Sequence, residues 1–121
     1  FFGAIPFSAA MRKNFVSALA AQTAKNSRYV DCRWSLKEPA TYGPAEYAKG
    51  HLPDAVFANV DLELSAPFGQ GTGRHPLPCL EDFGRWLRSK GLSKEHPIVC
   101  YDDLGGSVAA RLWWMLRCVG E

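Results

Sequence analysis

Three short runs rich in β-branched and aromatic residues, each closed off by turn formers, restrict this chain to few architectures: residues 28–34 (RYVDCRW), 55–62 (AVFANVDL) and 97–102 (PIVCYD). Runs of this length and composition predict buried strands. Helical patterns lie between and after them. Residues 43–50 (GPAEYAKG) place Pro44 at a helix start. Residues 80–91 (LEDFGRWLRSKG) set Leu80, Phe83 and Leu87 at three- and four-residue spacing before Gly91 stops the helix, and residues 108–119 (VAARLWWMLRCV) continue the alternation. Strands alternating with helices need crossover connections, so the expected class is α/β with a mostly parallel central sheet and helices on both faces. Ligands of such sheets gather beyond the carboxyl ends of the strands, where Asp31, Asp61 and Asp102 fall.

A chain of 121 residues, 47% hydrophobic, is long enough for one domain with a real core and too short for two ordinary ones. The net charge is only +2 and the basic residues are scattered among acids, which gives no reason to expect nucleic acid or a membrane surface as partner. No apolar stretch approaches the roughly 20 residues of a membrane-spanning helix. Cys32, Cys79, Cys100 and Cys118 have neither close pairing nor a histidine at metal-ligand spacing, so no metal, no redox dithiol and no cofactor is expected, and a reducing, intracellular setting fits. Arg12, Lys13, Lys25 and Arg28 precede the first acid, Asp31, in an Ala-, Ser- and Phe-rich stretch with the composition of a mitochondrial presequence. Residues 15–24 (FVSALAAQTA) read instead as a short strand running into a helix of the fold. The expected division is therefore a leader or extraneous remnant at 1–14 and a single domain at 15–121, in a mitochondrial or cytoplasmic protein.

Two stretches carry candidate chemistry. Residues 65–78 (SAPFGQGTGRHPLP) form a loop dense in Gly and Pro, and long loops at the ligand end of a parallel sheet are more often functional than idle. Residues 98–107 (IVCYDDLGGS) are an apolar strand that breaks into a glycine loop just before a helix, a shape that cradles an anion or a nucleophile. The residue at its lip is nevertheless Asp102, followed by a second acid, Asp103. A carboxylate there suits a cap on the helix N-terminus, an interaction worth about 0.3–1 kcal/mol, and argues against a site for phosphate or another free anion. Cys100 lies in mid-strand on the face opposite Tyr101, where an apolar setting makes a thiol inert. Cys32 and Cys118 read as small core residues, and Cys79 as exposed.

The segments VDCRW (30–34), AEYAKGHLPDAVFANVDL (45–62), RHPLPCLEDFGRWLRSKGLS (74–93), IVCYDDLGGS (98–107) and ARLWWMLRCVG (110–120) resemble, in order, a rhodanese domain. The likeness is to the amino-terminal half of the tandem-domain sulfurtransferases, most of all the 3-mercaptopyruvate sulfurtransferases, and it runs from about Phe15 to the last residue. In that family the carboxyl-terminal half carries a nucleophilic cysteine at the strand end. The resemblance puts Asp102 at the cysteine's place and Ser107 five residues on, so the loop Asp102, Asp103, Leu104, Gly105, Gly106 and Ser107 is expected to be a degenerate active-site loop. Only a thiolate can accept a sulfane sulfur to give a persulfide. The chain alone is accordingly expected to be inactive.

The resemblance also places Asp61 and His75 as assisting catalytic residues across a domain cleft, where a serine of the second half would complete a Ser-His-Asp relay. Read alone, Asp61 is equally a cap for the turn after its strand, and His75 a solvated loop residue beside Pro76. The implied parent enzyme moves sulfur from 3-mercaptopyruvate or thiosulfate to a thiol or cyanide through a cysteine persulfide in the second domain. The implied partners are that carboxyl-terminal rhodanese domain and a small sulfur donor. A standalone inactive rhodanese module for protein binding or regulation is the alternative. Asp31 and Arg33 are expected to pair, one of Trp113 and Trp114 to face outward, and Asp54 to sit in a turn with positive φ. The fold is expected to lack the family's final strand and helix. Because that strand lies in mid-sheet, the edge along PIVCY should be open, to be filled by another segment or by homo-association.

Overall fold

The computed structural model describes residues 2–5, 15–17 and 26–120. Five strands, β1 (Phe2–Ile5), β2 (Phe15–Val16), β3 (Arg28–Asp31), β4 (Val56–Phe57) and β5 (Ile98–Tyr101), form one sheet in the order β2-β1-β5-β3-β4. The pairs β5–β3 and β3–β4 are parallel, and β1 runs antiparallel to both β2 and β5. Three helices are described: α1 (Tyr42–Lys49), α2 (Leu80–Ser89) and α3 (Ala109–Gly120). The expected α/β class with a mostly parallel sheet is what the chain adopts. The helix that was expected to follow Phe15 and Val16 falls largely outside the described residues.

Of the two ways expected to fill the edge along β5, another segment of the chain is the one observed. Residues 2–5, within the segment set apart as 1–14, pair along β5 from Phe2↔Tyr101 to Ile5↔Ile98. Unpaired strand N–H and C=O groups are a liability that a chain relieves with whatever strand is at hand. With β3 on one side of β5 and β1 on the other, that edge no longer offers the basis for homo-association that was expected of it.

All residues of β5 are buried, as a central strand covered on both faces requires. On one face Val30, Ile98 and Cys100 pack with Phe83 and Trp86 of α2 and with Ala109, Leu112, Met115 and Leu116 of α3. The buried stripe of α2 is Phe83, Trp86 and the half-buried Leu87, while Leu80, expected inside, is exposed in the first turn. On α3 the stripe 109, 112, 115, 116 leaves Trp114 and Cys118 outside. Cys118 is thus a surface residue and not the core residue expected. Trp113 is half-buried, with the Arg117 guanidinium 5.1 Å above its ring.

The opposite face is tied by polar contacts. Buried Asp31 takes the Arg33 guanidinium at 2.6 Å and accepts from the Tyr101 hydroxyl at 3.1 Å, and that hydroxyl accepts from Leu52 N–H at 3.1 Å. The expected Asp31–Arg33 pair is therefore formed, and it raises the guanidinium's pKa. Gly43 lets α1 seat closely, since a methyl group there would meet the Arg33 carbonyl and the Phe57 ring. Asp54 adopts φ 62°, as expected of the turn.

Candidate functional site

β4 is far shorter than the run 55–62 suggested, and the cause is Asn59. Its side-chain oxygen accepts from the N–H groups of Asp61 and Leu62, both at 3.1 Å, and its carbonyl accepts from Glu63 and Leu64. Such an Asx turn replaces the sheet ladder with a single tight turn. Asp61 stands on that turn with its carboxylate half-exposed.

Fourteen residues on, His75 meets it: Nε2 lies 2.6 Å from Asp61 Oδ1. The other carboxylate oxygen accepts from Trp34 Nε1 at 3.0 Å, and the Trp34 and His75 rings stand edge to face, 5.5 Å apart at 87°. A carboxylate partner keeps the hydrogen on Nε2 of the neutral ring, which leaves Nδ1 as the basic nitrogen. The side chains of His75 and Asp61 are 30% and 32% exposed, so the pair can be reached from outside. It lines a cleft of about 480 Å³ together with Trp34, Leu36, Phe68 and Arg74. Arg74 is exposed and forms no ion pair among the described residues, which makes it the cation of this wall.

The glycine loop after β5 is organised around Asp102. Oδ1 accepts from Leu104 N–H at 2.9 Å and Gly106 N–H at 2.8 Å, and Oδ2 accepts from Val108 at 2.8 Å and Ala109 at 2.7 Å. Gly105 and Gly106 hold φ of 68° and 88°, the left-handed region that turns these N–H groups inward. The four donors that make the cradle anion-attracting are thus used within the chain by an 8%-exposed carboxylate. Asp103 points away and accepts from the Tyr42 hydroxyl, raising that phenol's pKa. Ser107 Oγ donates to the Leu104 carbonyl at 2.9 Å.

None of residues 102–107 lines the cleft of Asp61 and His75. Neither cleft nor loop presents a reactive thiol. Cys32 and Cys100 are fully buried, and a hydrogen bond with Cys100, reinforced by burial, pushes the Cys32 thiol well above its ordinary pKa. Cys79 is exposed at the N-cap of α2, where its sulfur accepts from Asp82 N–H. No cluster of metal-ligating side chains is found among the described residues, and none of their helices is long and apolar enough to cross a membrane.

The roles of Trp34, Asn59 and Arg74 were not read from the sequence. Trp34 stands 27 positions from the aspartate that its indole holds, and no periodicity encodes that meeting. A signal existed only for Asn59, an Asx-turn former inside a strand-like run.

Comparison with known proteins matches residues 15–121 to the rhodanese-like domain. A Pseudomonas aeruginosa protein named "Probable 3-mercaptopyruvate sulfurtransferase" is 43% identical over 93 residues, which cover 76% of this chain and 32% of that one. Thiosulfate/3-mercaptopyruvate sulfurtransferase 2 of Arabidopsis thaliana is 31% identical over 95 residues, 78% of this chain and 27% of its own. The structure of 3-mercaptopyruvate sulfurtransferase from Leishmania major superposes with a TM-score of 0.72 at 44% identity, covering 76% of this chain and 25% of that one. The chain thus spans about a quarter to a third of the length of these relatives. By its strand–glycine loop–helix at residues 98–120 and its match over residues 15–121, the chain belongs to the rhodanese-like domain family.

Proposed function

We propose that this chain serves as the amino-terminal, non-nucleophilic domain of a tandem sulfurtransferase, presenting Asp61 and His75 to a sulfur donor held between it and a second rhodanese domain. The observation that carries this reading is the 2.6 Å Asp61–His75 contact on the wall of an open cleft. A carboxylate bonded to Nε2 fixes the tautomer and leaves the Nδ1 lone pair of His75 free to accept a proton from a donor in the cleft. Its proton partner is a hydroxyl of the second domain, as in a Ser-His-Asp relay.

The sulfur itself moves elsewhere. The second domain's cysteine thiolate attacks the sulfur of 3-mercaptopyruvate, the carbon–sulfur bond breaks, and the enolate left behind takes up a proton to become pyruvate. An acceptor thiolate or cyanide then attacks the outer sulfur and restores the cysteine thiolate. Such donors are anions, and the Asp61 carboxylate would repel them from this wall. Arg74 supplies the compensating charge, since a guanidinium binds a carboxylate or sulfonate through paired N–H donors. The presence of the acid–imidazole pair favours mercaptopyruvate over thiosulfate.

The test is a sulfurtransferase assay of the chain alone and of Asp102→Cys, with persulfide read by mass spectrometry. The unchanged chain retains no sulfane sulfur on any of its thiols and turns nothing over. The variant gains a trace at position 102 at most. Catalytic turnover, or a persulfide on one of the native cysteines, by the chain alone would overturn the reading.

A further inference from the structure

The proposed function relies on His75, yet His75 sits on a segment poorly suited to hold anything still. The loop before it contains Gly69, Gly71 and Gly73, which lose more backbone entropy on ordering than other residues. Its internal bonds, Gly69 with Thr72, secure only the tip. Pro76 follows His75 directly and has no N–H with which to anchor the stem.

The anchor comes from α3. The half-buried Arg111 donates from Nε to the Leu64 carbonyl at 2.8 Å, where the loop begins. From Nη2 it donates to the His75 carbonyl at 2.8 Å and the Pro76 carbonyl at 3.2 Å, where the loop ends. One guanidinium thus spans both stems, and the Ala66 N–H to Pro76 carbonyl bond at 2.8 Å closes the gap between them. Arg111 forms no ion pair among the described residues, and burial lowers its pKa. A cation kept from water without a carboxylate is costly unless its N–H groups are satisfied, and here backbone carbonyls satisfy them.

From this clamp we infer that Arg111 is the positioning residue for His75: by fixing the carbonyls of residues 75 and 76 it sets the backbone from which the imidazole reaches Asp61. The inference rests on the proposed use of the Asp61–His75 pair, and it assigns Arg111 no contact with substrate. A lysine cannot replace it, because an ammonium lacks the planar fork that serves two stems at once.

The experiment follows the His75 Nε2–H proton by NMR in the ¹⁵N-histidine-labelled chain, assigned with His75→Gln, in Arg111→Lys and Arg111→Met. In the unchanged chain this proton is protected and the Trp34 and His75 rings show mutual NOEs. In both variants Nε2–H exchange accelerates by about tenfold or more, as expected on losing a hydrogen bond to a charged group, and the NOEs fade while the amide signals of β3 and β5 stay in place. If Arg111→Met fails to fold, Arg111→Lys decides. Retained protection in a folded Arg111→Lys overturns the assignment, as does unfolding of both variants, which would make Arg111 a general determinant of folding. A missing protected proton in the unchanged chain would instead remove the Asp61–His75 pair, and with it the proposed function.

Discussion

At the scale of single residues, Asp102 explains how the glycine loop after β5 is held. Its two oxygens take the four loop N–H groups, so a loop built to attract an anion is satisfied from within, and α3 gains a fixed starting point. Asp102→Ala leaves those donors without an acceptor and lowers the unfolding free energy by about 2–4 kcal/mol. Urea denaturation should show this as a lower midpoint at unchanged slope. A loss under about 0.5 kcal/mol would mean that water replaces the carboxylate without penalty. The strand, glycines and helix of this loop were legible in the sequence, because local chemistry creates them. The links that surround His75 were not: Arg111 meets its carbonyl across 36 positions, and nothing local marks that arginine among the other basic residues of the chain.

At the scale of elements, periodicity served the helices better than the strands. The three- and four-residue repeat located α2 and the strand–helix alternation located α3, although Leu80 and Cys118 proved to lie off their buried stripes. For β4 the alternation was misleading, because one asparagine side chain competes with the ladder beyond Ala58. Element-to-element ties are also where pH acts. Tyr101 links β5 to β3 through Asp31 and to the segment after α1 through Leu52. Burial pushes its pKa from an ordinary 10.0 up to about 12. A group raised in this way gives its full stabilisation below the unfolded pKa, and loses it as pH climbs through the folded one. The stability advantage of the unchanged chain over Tyr101→Phe should therefore hold up to about pH 10 and shrink between about pH 10 and 12, which denaturant titrations across that window will check. A constant difference would mean that the phenol ionises alike in both states.

At the scale of the whole molecule, a mostly parallel sheet was expected and found, but its completion by β1 was not foreseen. A four-residue run, FGAI, carries too little pattern to be recognised as a strand, and its partner lies almost a hundred positions away. Closure of the β5 edge has a direct test. The intact chain should scatter light as a monomer across concentration, and removing residues 1–5 should produce association that grows with concentration, as bare strand edges do. Monomeric behaviour of the shortened chain would mean that β5 tolerates an open edge. The same pairing governs how the molecule is made. Translation delivers Phe2–Ile5 well ahead of residues 98–101, which follow only about 5–20 s later at ordinary elongation rates. Throughout that interval β1 has only the two-residue β2 to pair with, so the ribosome-bound domain stays unfinished until β5 has emerged.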